Sequence, residues 1–242
     1  MSNIINICVL RFKLLIRGAV LTLPTIILLG FLWIMYHVPP ISVSSSFVLS
    51  AVFLFFVCLF ISLGMNGKED DIFEETLLLH CRSTANYYIA RELLLFAICF
   101  VFSLVLTLFP AIWYLTHKSF FERAMIPIDV ILGGANILVC GLAGTQIGDL
   151  FHPRVISKRR DALLFATFLS ILSICKFGLI EFNPLFKALN YLLPPVLDAY
   201  KMVAKDCFET KGMLLICLHL LIYSVVILLI KMRLLTLKKY RY

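Results

Sequence analysis

The chain has 242 residues, of which 62% are hydrophobic and only 15% are charged, and its formal net charge is +8. Soluble domains carry about a quarter charged residues, so this composition excludes a water-soluble globular protein and predicts an integral membrane protein. A bilayer span takes about 20 apolar residues, which leaves room for about six helices and no separate soluble domain. The basic residues are scattered between apolar runs, so we expect no nucleic-acid partner.

The first predicted element is an amphipathic helix over residues 3–15. Its apolar residues recur at helical spacing: Ile5, Cys8, Val9, Phe12 and Leu15. A helix with this pattern lies in the plane of the lipid headgroups, and we expect it to lead directly into the first span. The alternative is a continuous N-terminal extension of that span.

Apolar runs long enough to cross a bilayer follow one another along the chain. They predict an all-α fold with spans at about residues 18–37, 46–65, 93–115, 130–147, 162–180 and 213–230. The fifth run contains one charge, Lys176, which is close enough to its end to snorkel to the headgroups. The whole chain is then a single transmembrane domain of six helices.

The distribution of Lys and Arg predicts the orientation of these spans. Fifteen of the 22 basic residues fall on the side that holds both termini and seven fall on the other side. The positive-inside rule therefore places both termini in the cytoplasm of a multi-pass protein, which we expect in the plasma membrane.

Two segments between the spans predict structure of their own. In the cytoplasmic loop 66–92, acidic residues at 69–71 precede Phe73, Leu77 and Cys81 at fourfold spacing, which predicts a short amphipathic helix that could dock another protein. In the outer segment 181–212, Pro194 and Pro195 divide an apolar run into two parts too short to span. We expect two re-entrant half-helices there.

The fourth span contains most of the polar residues predicted inside the membrane. Gly144 and Gly148 at fourfold spacing predict close packing of this span at the centre of the bundle. Asn136 and Gln146 in this span, and His219 in the sixth, are candidates for a translocation path, although interhelical hydrogen bonding is the more ordinary role for such residues.

Motifs for catalysis are absent from the sequence. There is no G-x-x-x-x-G-K-[ST] phosphate loop and no H-E-x-x-H pair, and the eight Cys include no C-x-x-C pair, so we expect no ATPase, metal or cofactor site in this chain. Asp129, Asp149 and His152 are too scattered in the sequence to indicate an enzyme site.

The run from Phe73 through Glu74-Glu75-Thr76-Leu77 to Arg91 resembles the loop before the third span of ABC-2-type transporter permeases. Glu75 stands at the usual glycine position of that loop, and the usual proline near Arg82 is missing. The order of elements is also similar to that family over the whole chain: an interface helix, six spans, a basic second cytoplasmic loop and a re-entrant segment before the sixth span.

The resemblance implies the permease subunit of an ATP-driven exporter for an amphipathic or hydrophobic cargo such as a peptide, drug or lipid. Two permease chains, identical or paralogous, would pair in the lipid membrane, and two separate ATP-binding subunits would bind ATP and Mg and dock on the cytoplasmic loops. The residues implied for this coupling are Phe73, Glu74, Glu75, Leu77, His80, Arg82, Arg154 and Arg159. Export of a lipid-linked polysaccharide, a membrane enzyme and a non-transporting accessory subunit remain alternatives.

Overall fold

The computed structural model describes residues 2–67, 77–78, 84–156, 158–182, 192–204 and 206–237. Within them the chain is almost entirely helical, and β structure is limited to a hairpin of two-residue strands and an isolated bridge between Ile41 and Phe121. The helices are α1 Ser2–Arg17, α2 Thr22–His37, α3 Val43–Asn66, α4 Thr84–Thr116, α5 Pro127–Leu150, α6 Arg159–Phe182 and α7 Thr210–Leu237. The 3-10 helices Lys118–Phe120 and Asp198–Met202 and the strands β1 Val203–Ala204 and β2 Cys207–Phe208 complete the described elements.

Several of these helices are suited to a bilayer. Among the described residues, four stretches are long and apolar enough to cross one: Val43–Asn66, Asn86–Thr116, Pro127–Leu150 and Thr210–Leu235. A fifth span is obtained if α1 and α2 are counted together, although a bend of 71° separates them. The protein is therefore membrane-embedded, with four or five such spans in the described part of the chain, and the number six stays a prediction.

The bend between α1 and α2 contradicts a continuous N-terminal extension of the first span. The bend includes Ala19, whose φ of 56° is in the left-handed region that residues with a Cβ rarely adopt. The predicted interface helix corresponds to α1. One face of α1 packs on α4, where the Cys8 Sγ donates a hydrogen bond to the Ala90 carbonyl oxygen at 3.1 Å, while Ile5 and Phe12 are exposed.

Contacts between loops define two ends of the helix bundle. At one end, the Ile41 N–H donates to the Phe120 carbonyl at 2.8 Å, and Ser42 at the start of α3 bonds Asp206 of the β1–β2 turn. We call this the hairpin end. The other end, where α3, α5 and α7 finish and α4 and α6 begin, is called the basic end.

The shorter or less apolar helices α2 and α6 also run between these two ends. α2 starts near Gly64 of α3 and finishes with Tyr36 packed near Phe121 at the hairpin end. α6 starts beside Gly67 and brings Lys176 to Asp198 near the hairpin. Lys176 does not snorkel as predicted, because its side chain is buried and its Nζ donates to Asp198 Oδ2 at 2.9 Å.

The helix α5 lies at the centre of the bundle, as its small residues predict. It packs against α3, α4 and α7. A Cβ placed on Gly144 would lie 2.1 Å from the Phe55 carbonyl oxygen, and one on Gly148 would lie 2.5 Å from that of Leu59. Only glycine permits this approach of the α3 and α5 backbones.

Two predicted segments differ from the structure. α4 begins at Thr84, so residues 84–92 of the predicted cytoplasmic loop are helix, and Arg91 and Glu92 lie inside α4 rather than in a connection. The second predicted half-helix of the outer segment is instead a 3-10 helix followed by the hairpin. Pro194 and Pro195 prevent a helix from continuing through them from the preceding residues, and Val196 is buried in the core. Residues 183–191, where the first half-helix was predicted, lie outside the described part of the chain.

Candidate functional site: a buried charge cluster

Four charged side chains from three helices meet at the basic end of the bundle. Arg91 and Glu92 come from α4, Asp149 from α5 and Lys231 from α7; we call these four residues the charge cluster. Arg91, Asp149 and Lys231 are at most 1% exposed, whereas the Glu92 side chain is 18% exposed. Charged residues at membrane depth are rare and usually face the bundle interior in pairs, as here.

Asp149 joins the two cations of the cluster. Its Oδ1 accepts a hydrogen bond from the Arg91 guanidinium, and its Oδ2 accepts one from Lys231 Nζ at 2.8 Å. Lys231 Nζ also donates to Glu92 Oε1. Two cations and two anions are thus in contact, and the cluster carries no net charge. This balance is required because an unpaired buried charge costs several kcal/mol.

Two amide side chains extend the charge cluster to neighbouring helices. Gln146 Nε2 donates to Glu92 Oε2 at 2.8 Å, and its Oε1 accepts from Lys231 at 3.2 Å. Asn66, the last residue of α3, accepts from Arg91 and donates from Nδ2 to the Gly148 carbonyl at 3.1 Å. The charge cluster therefore ties α3, α4, α5 and α7 together near one end.

His152 lies just beyond the end of α5 and beside the charge cluster. Its ring is fully buried, and its Nδ1 accepts a hydrogen bond from the Arg154 N–H at 3.3 Å. Burial, and after it the charge of the Arg91 guanidinium, holds the pKa of the His152 imidazole well below its usual range. The histidine is neutral in the folded protein at physiological pH.

The helix α1 reaches the same region through a buried arginine. Arg11 is 2% exposed, and its guanidinium lies over the Tyr87 ring of α4, 4.2 Å from the ring centroid. Tyr87, Tyr88 and Leu235 of α7 form a small buried apolar cluster against which Leu77 packs. A displacement of α1 or of the segment around Leu77 would therefore press on the start of α4, four residues before Arg91.

The structure describes only part of the predicted coupling set. Phe73, Glu74, Glu75, His80 and Arg82 lie outside the described residues. Of the three that are described, Leu77 and Arg154 are half-buried, and Arg159 is exposed at the start of α6.

The three candidates for a translocation path are also separate from one another. Gln146 belongs to the charge cluster and forms the interhelical hydrogen bonds favoured by the sequence. Asn136 is fully buried, and its Oδ1 accepts only from Cys140 Sγ of its own helix, at 3.7 Å, among the described residues. His219 is half-buried on α7. Which of them contacts a cargo stays a prediction.

A cavity of about 190 Å³ lies beside the charge cluster between α4, α5 and α7. Glu92 and Gln146 form its polar wall, and Phe96, Leu221 and Val225 are among its apolar residues. These three apolar side chains are exposed on the outside of the bundle. The cavity is therefore open toward the lipid, and Glu92 and Gln146 are the polar groups that a molecule entering from the bilayer would meet.

Sequence reasoning missed the charge cluster because each member lies near the end of an apolar run. Arg91 and Lys231 are among the basic residues that predict the orientation, and Asp129, Asp149 and His152 together are too scattered in the sequence to indicate a site. A signal was present: acids and bases stand at the same predicted membrane side in three different spans. Pairing them requires the tertiary structure, since Asp149 is 58 residues from Arg91 and Lys231 is 139 residues from Glu92.

The chemistry open to the charge cluster is limited by its burial and its pairing. Asp149 has both carboxylate oxygens engaged, and neither it nor His152 is accessible to a substrate. Over the described ranges, no group of three His, Cys, Asp or Glu side chains is placed to hold a metal ion. Comparisons with protein-family models, curated proteins and solved structures find no match to this chain.

Proposed function

We propose that this chain is the membrane permease subunit of an ATP-driven exporter of the ABC-2 type. Six helices would span the plasma membrane with both termini in the cytoplasm, and the basic end of the bundle would face the cytoplasm. Two such chains, identical or paralogous, would form the path for an amphipathic or hydrophobic cargo. Two separate ATP-binding subunits would supply ATP hydrolysis.

The charge cluster is the observation that carries this proposal. The segments that follow Asn66 and Leu150 are the two predicted docking loops, and both leave the bundle directly from this cluster. Asn66 contacts Arg91, and Asp149 contacts Arg91 and Lys231, so a force on either loop reaches α4 and α7 through short charged contacts. Such a connection is what transmission of a partner's movement to the spans requires.

The geometry of α1, α2 and α6 also supports the proposal. The helix α1 packs on α4 and meets α2 at a bend, which is similar to the interface helix expected for this family. Because α2 and α6 run between the same two ends as the four helices that are long and apolar enough to cross a bilayer, six crossings agree with the arrangement. The lipid-open cavity beside Gln146 offers an entry for a cargo that partitions into the bilayer.

Nothing in the described residues favours the alternatives to the same extent. Asp149 and His152, the acid and histidine that the sequence offers for an enzyme in this region, are fully buried. Export of a lipid-linked polysaccharide would use the same architecture, so it differs only in the cargo. An accessory subunit without a path would leave the cavity beside Gln146 without a role.

The direct test is purification of the tagged chain from membranes of its own host in mild detergent, followed by reconstitution into liposomes. We expect an ATP-binding subunit to co-purify and to show vanadate-sensitive ATP hydrolysis that is coupled to transport. A chain that is purified intact but always without an ATPase would contradict the proposal.

Charge reversal in the first docking loop then tests the coupling. Glu74→Lys with Glu75→Lys should uncouple ATP hydrolysis from transport and leave membrane insertion intact. Glu209→Lys, an exposed change near the hairpin, is the matched control and should leave coupling unchanged. Equal coupling in all three proteins would contradict the docking role of the loop.

A further inference from the structure

A second and larger cavity lies at the basic end, between α3, the segment 151–156 and the start of α6. Its volume is about 390 Å³. The residues on which the argument depends are Phe60, Leu63, Asn66, Gly67, Arg159 and Leu163. The cavity beside Gln146 is separate from it, since the two share no lining residue.

The lining of this cavity is divided into a polar and an apolar part. Asn66 and Arg159 provide polar groups at the basic end. Phe60 and Leu163 lie on the other side and are 45% and 44% exposed, so the apolar part opens outward to the surroundings of the bundle. Since these surroundings are the acyl chains of a bilayer, the cavity is shaped for an amphipathic molecule at the membrane surface.

Arg159 is held in the cavity by the absence of a side chain at Gly67. A Cβ on Gly67 would lie 2.7 Å from Arg159 Cζ, so the guanidinium occupies the space that any other residue would fill. The φ of Gly67 is −80°, an ordinary value, so a side chain at this position would need no strained backbone but would displace the end of the Arg159 side chain. The adjacent Arg160 instead extends into solvent and pairs with Asp161 at 3.6 Å.

Arg159 has no carboxylate partner among the described residues, although its neighbour does. Exposed Lys158 and Arg160 beside it add positive potential to the same region. A guanidinium is the group that binds a phosphate through two parallel hydrogen bonds. A basic group at one end and exposed apolar residues at the other match the headgroup and acyl chains of one anionic lipid.

We infer that this cavity binds the headgroup of an anionic phospholipid, with its phosphate on Arg159 and its acyl chains along Phe60, Leu63 and Leu163. The lipid would fill the gap between α6 and α3 at the basic end. It would also lie against Asn66, which contacts Arg91 of the charge cluster. Lipid composition would thereby act on the packing of α6 and on the position of the cluster.

The test is native mass spectrometry of the purified chain alone, titrated with phosphatidylglycerol and with phosphatidylcholine of the same acyl chains. We expect one tightly retained phosphatidylglycerol and at least about tenfold weaker phosphatidylcholine binding. Arg159→Gln should weaken phosphatidylglycerol binding by about tenfold or more, whereas Arg160→Gln, the matched control, removes only a solvent-exposed charge and should weaken it far less. Equal binding of both lipids, or full binding by Arg159→Gln, would overturn the inference.

A second variant keeps the cation and removes the space. Gly67→Leu places a side chain where the Arg159 guanidinium lies and narrows the cavity, so phosphatidylglycerol binding should weaken strongly although Arg159 is still present. Inorganic phosphate alone should give no retained adduct, because it has no acyl chains to contact the apolar part of the cavity. Retention of phosphatidylglycerol by Gly67→Leu, or an adduct of phosphate as stable as that of the lipid, would refute a lipid site.

Discussion

Asp149 is the residue on which the two buried cations depend. It accepts hydrogen bonds from both Arg91 and Lys231, and it is fully buried. Asp149→Asn keeps the shape of the side chain and removes the charge, so one cation in excess stays buried. We expect a loss of about 3 kcal/mol or more in the free energy of unfolding, measured by thermal or chemical unfolding in detergent.

Charge balance can be separated from shape with a second substitution. Lys231→Met removes a cation, so the double variant Asp149→Asn with Lys231→Met should recover part of the stability lost in Asp149→Asn alone. Asp161→Asn is the control for an exposed pair and should change stability by less than about 1 kcal/mol. If the double variant were less stable than Asp149→Asn, charge balance would not be the reason for the arrangement.

His152 should make the stability of the protein depend on pH, and the direction of its pKa shift gives the sign of that dependence. Its pKa in the folded protein is below the unfolded value of about 6.5, so the unfolded chain takes up a proton that the folded chain excludes. Arg91, Arg154 and Arg11 hold the pKa down, and Asp149 acts in the opposite direction. Stability should therefore fall as the pH decreases below about 6.5, by up to about 1.4 kcal/mol per pH unit.

The measurement is the unfolding midpoint of the detergent-purified protein between pH 7.5 and 5.5. His152→Gln should flatten the decrease below pH 6.5, because no imidazole is then left to be protonated on unfolding at this position. His37→Gln removes an exposed imidazole and should keep the wild-type profile. A profile that is equally steep in His152→Gln and the wild type would assign the decrease to another group.

At the scale of elements, the contact between α3 and α5 has the least room for change. The Phe55 carbonyl oxygen occupies the position beside Gly144, and a backbone atom cannot rotate away as a side chain can. Gly144→Ala should separate the two helices and destabilise the protein by about 2 kcal/mol or more, as read from thermal unfolding in detergent.

Gly30 provides the matched control for this contact. It lies within α2, and a Cβ at Gly30 would have no heavy atom within 4 Å. Gly30→Ala should be neutral or slightly stabilising, because alanine favours the helix more than glycine does. Equal effects of the two substitutions would show that helix propensity, and not the close approach of α3 and α5, governs the response.

At the scale of the whole molecule, the apolar runs were sufficient to predict the helical segments. The predicted spans 46–65 and 130–147 fall inside α3 Val43–Asn66 and α5 Pro127–Leu150. The central position of α5 also followed from its small residues. These features are local in the sequence, because length, hydropathy and glycine spacing depend only on neighbouring residues.

Features that depend on distant partners could not be predicted. Arg91 and Glu92 look like the end of a loop in the sequence, whereas in the fold they lie inside α4 beside Lys231 and Asp149. Lys176 is another example, since its partner Asp198 comes from the segment before the hairpin. In each case the sequence predicts that a charge near the end of a span is exposed to solvent, whereas in the fold the charge is buried and paired with a counter-ion.

The fold also predicts the topology of the whole chain. The orientation of α6 decides whether that topology has six crossings. Its start at Arg159 belongs to the basic end and Lys176 belongs to the hairpin end, so six crossings require residues 158 and 195 to be on opposite sides of the membrane. The loops around Pro40, Glu122 and Pro195 should share one side, because Ile41 bonds Phe120 and Ser42 bonds Asp206. From the positive-inside rule, we expect that shared side to be extracellular.

Reporter fusions can measure each of these positions. Alkaline phosphatase should be active when fused after Pro40, Glu122 and Pro195, since it folds only outside the cytoplasm. It should be inactive after Lys158, where a fluorescent protein that folds only in the cytoplasm should be bright instead. Activity of the phosphatase after both Lys158 and Pro195, or after neither, would mean that α6 does not cross the membrane, and the six-helix arrangement would then be wrong.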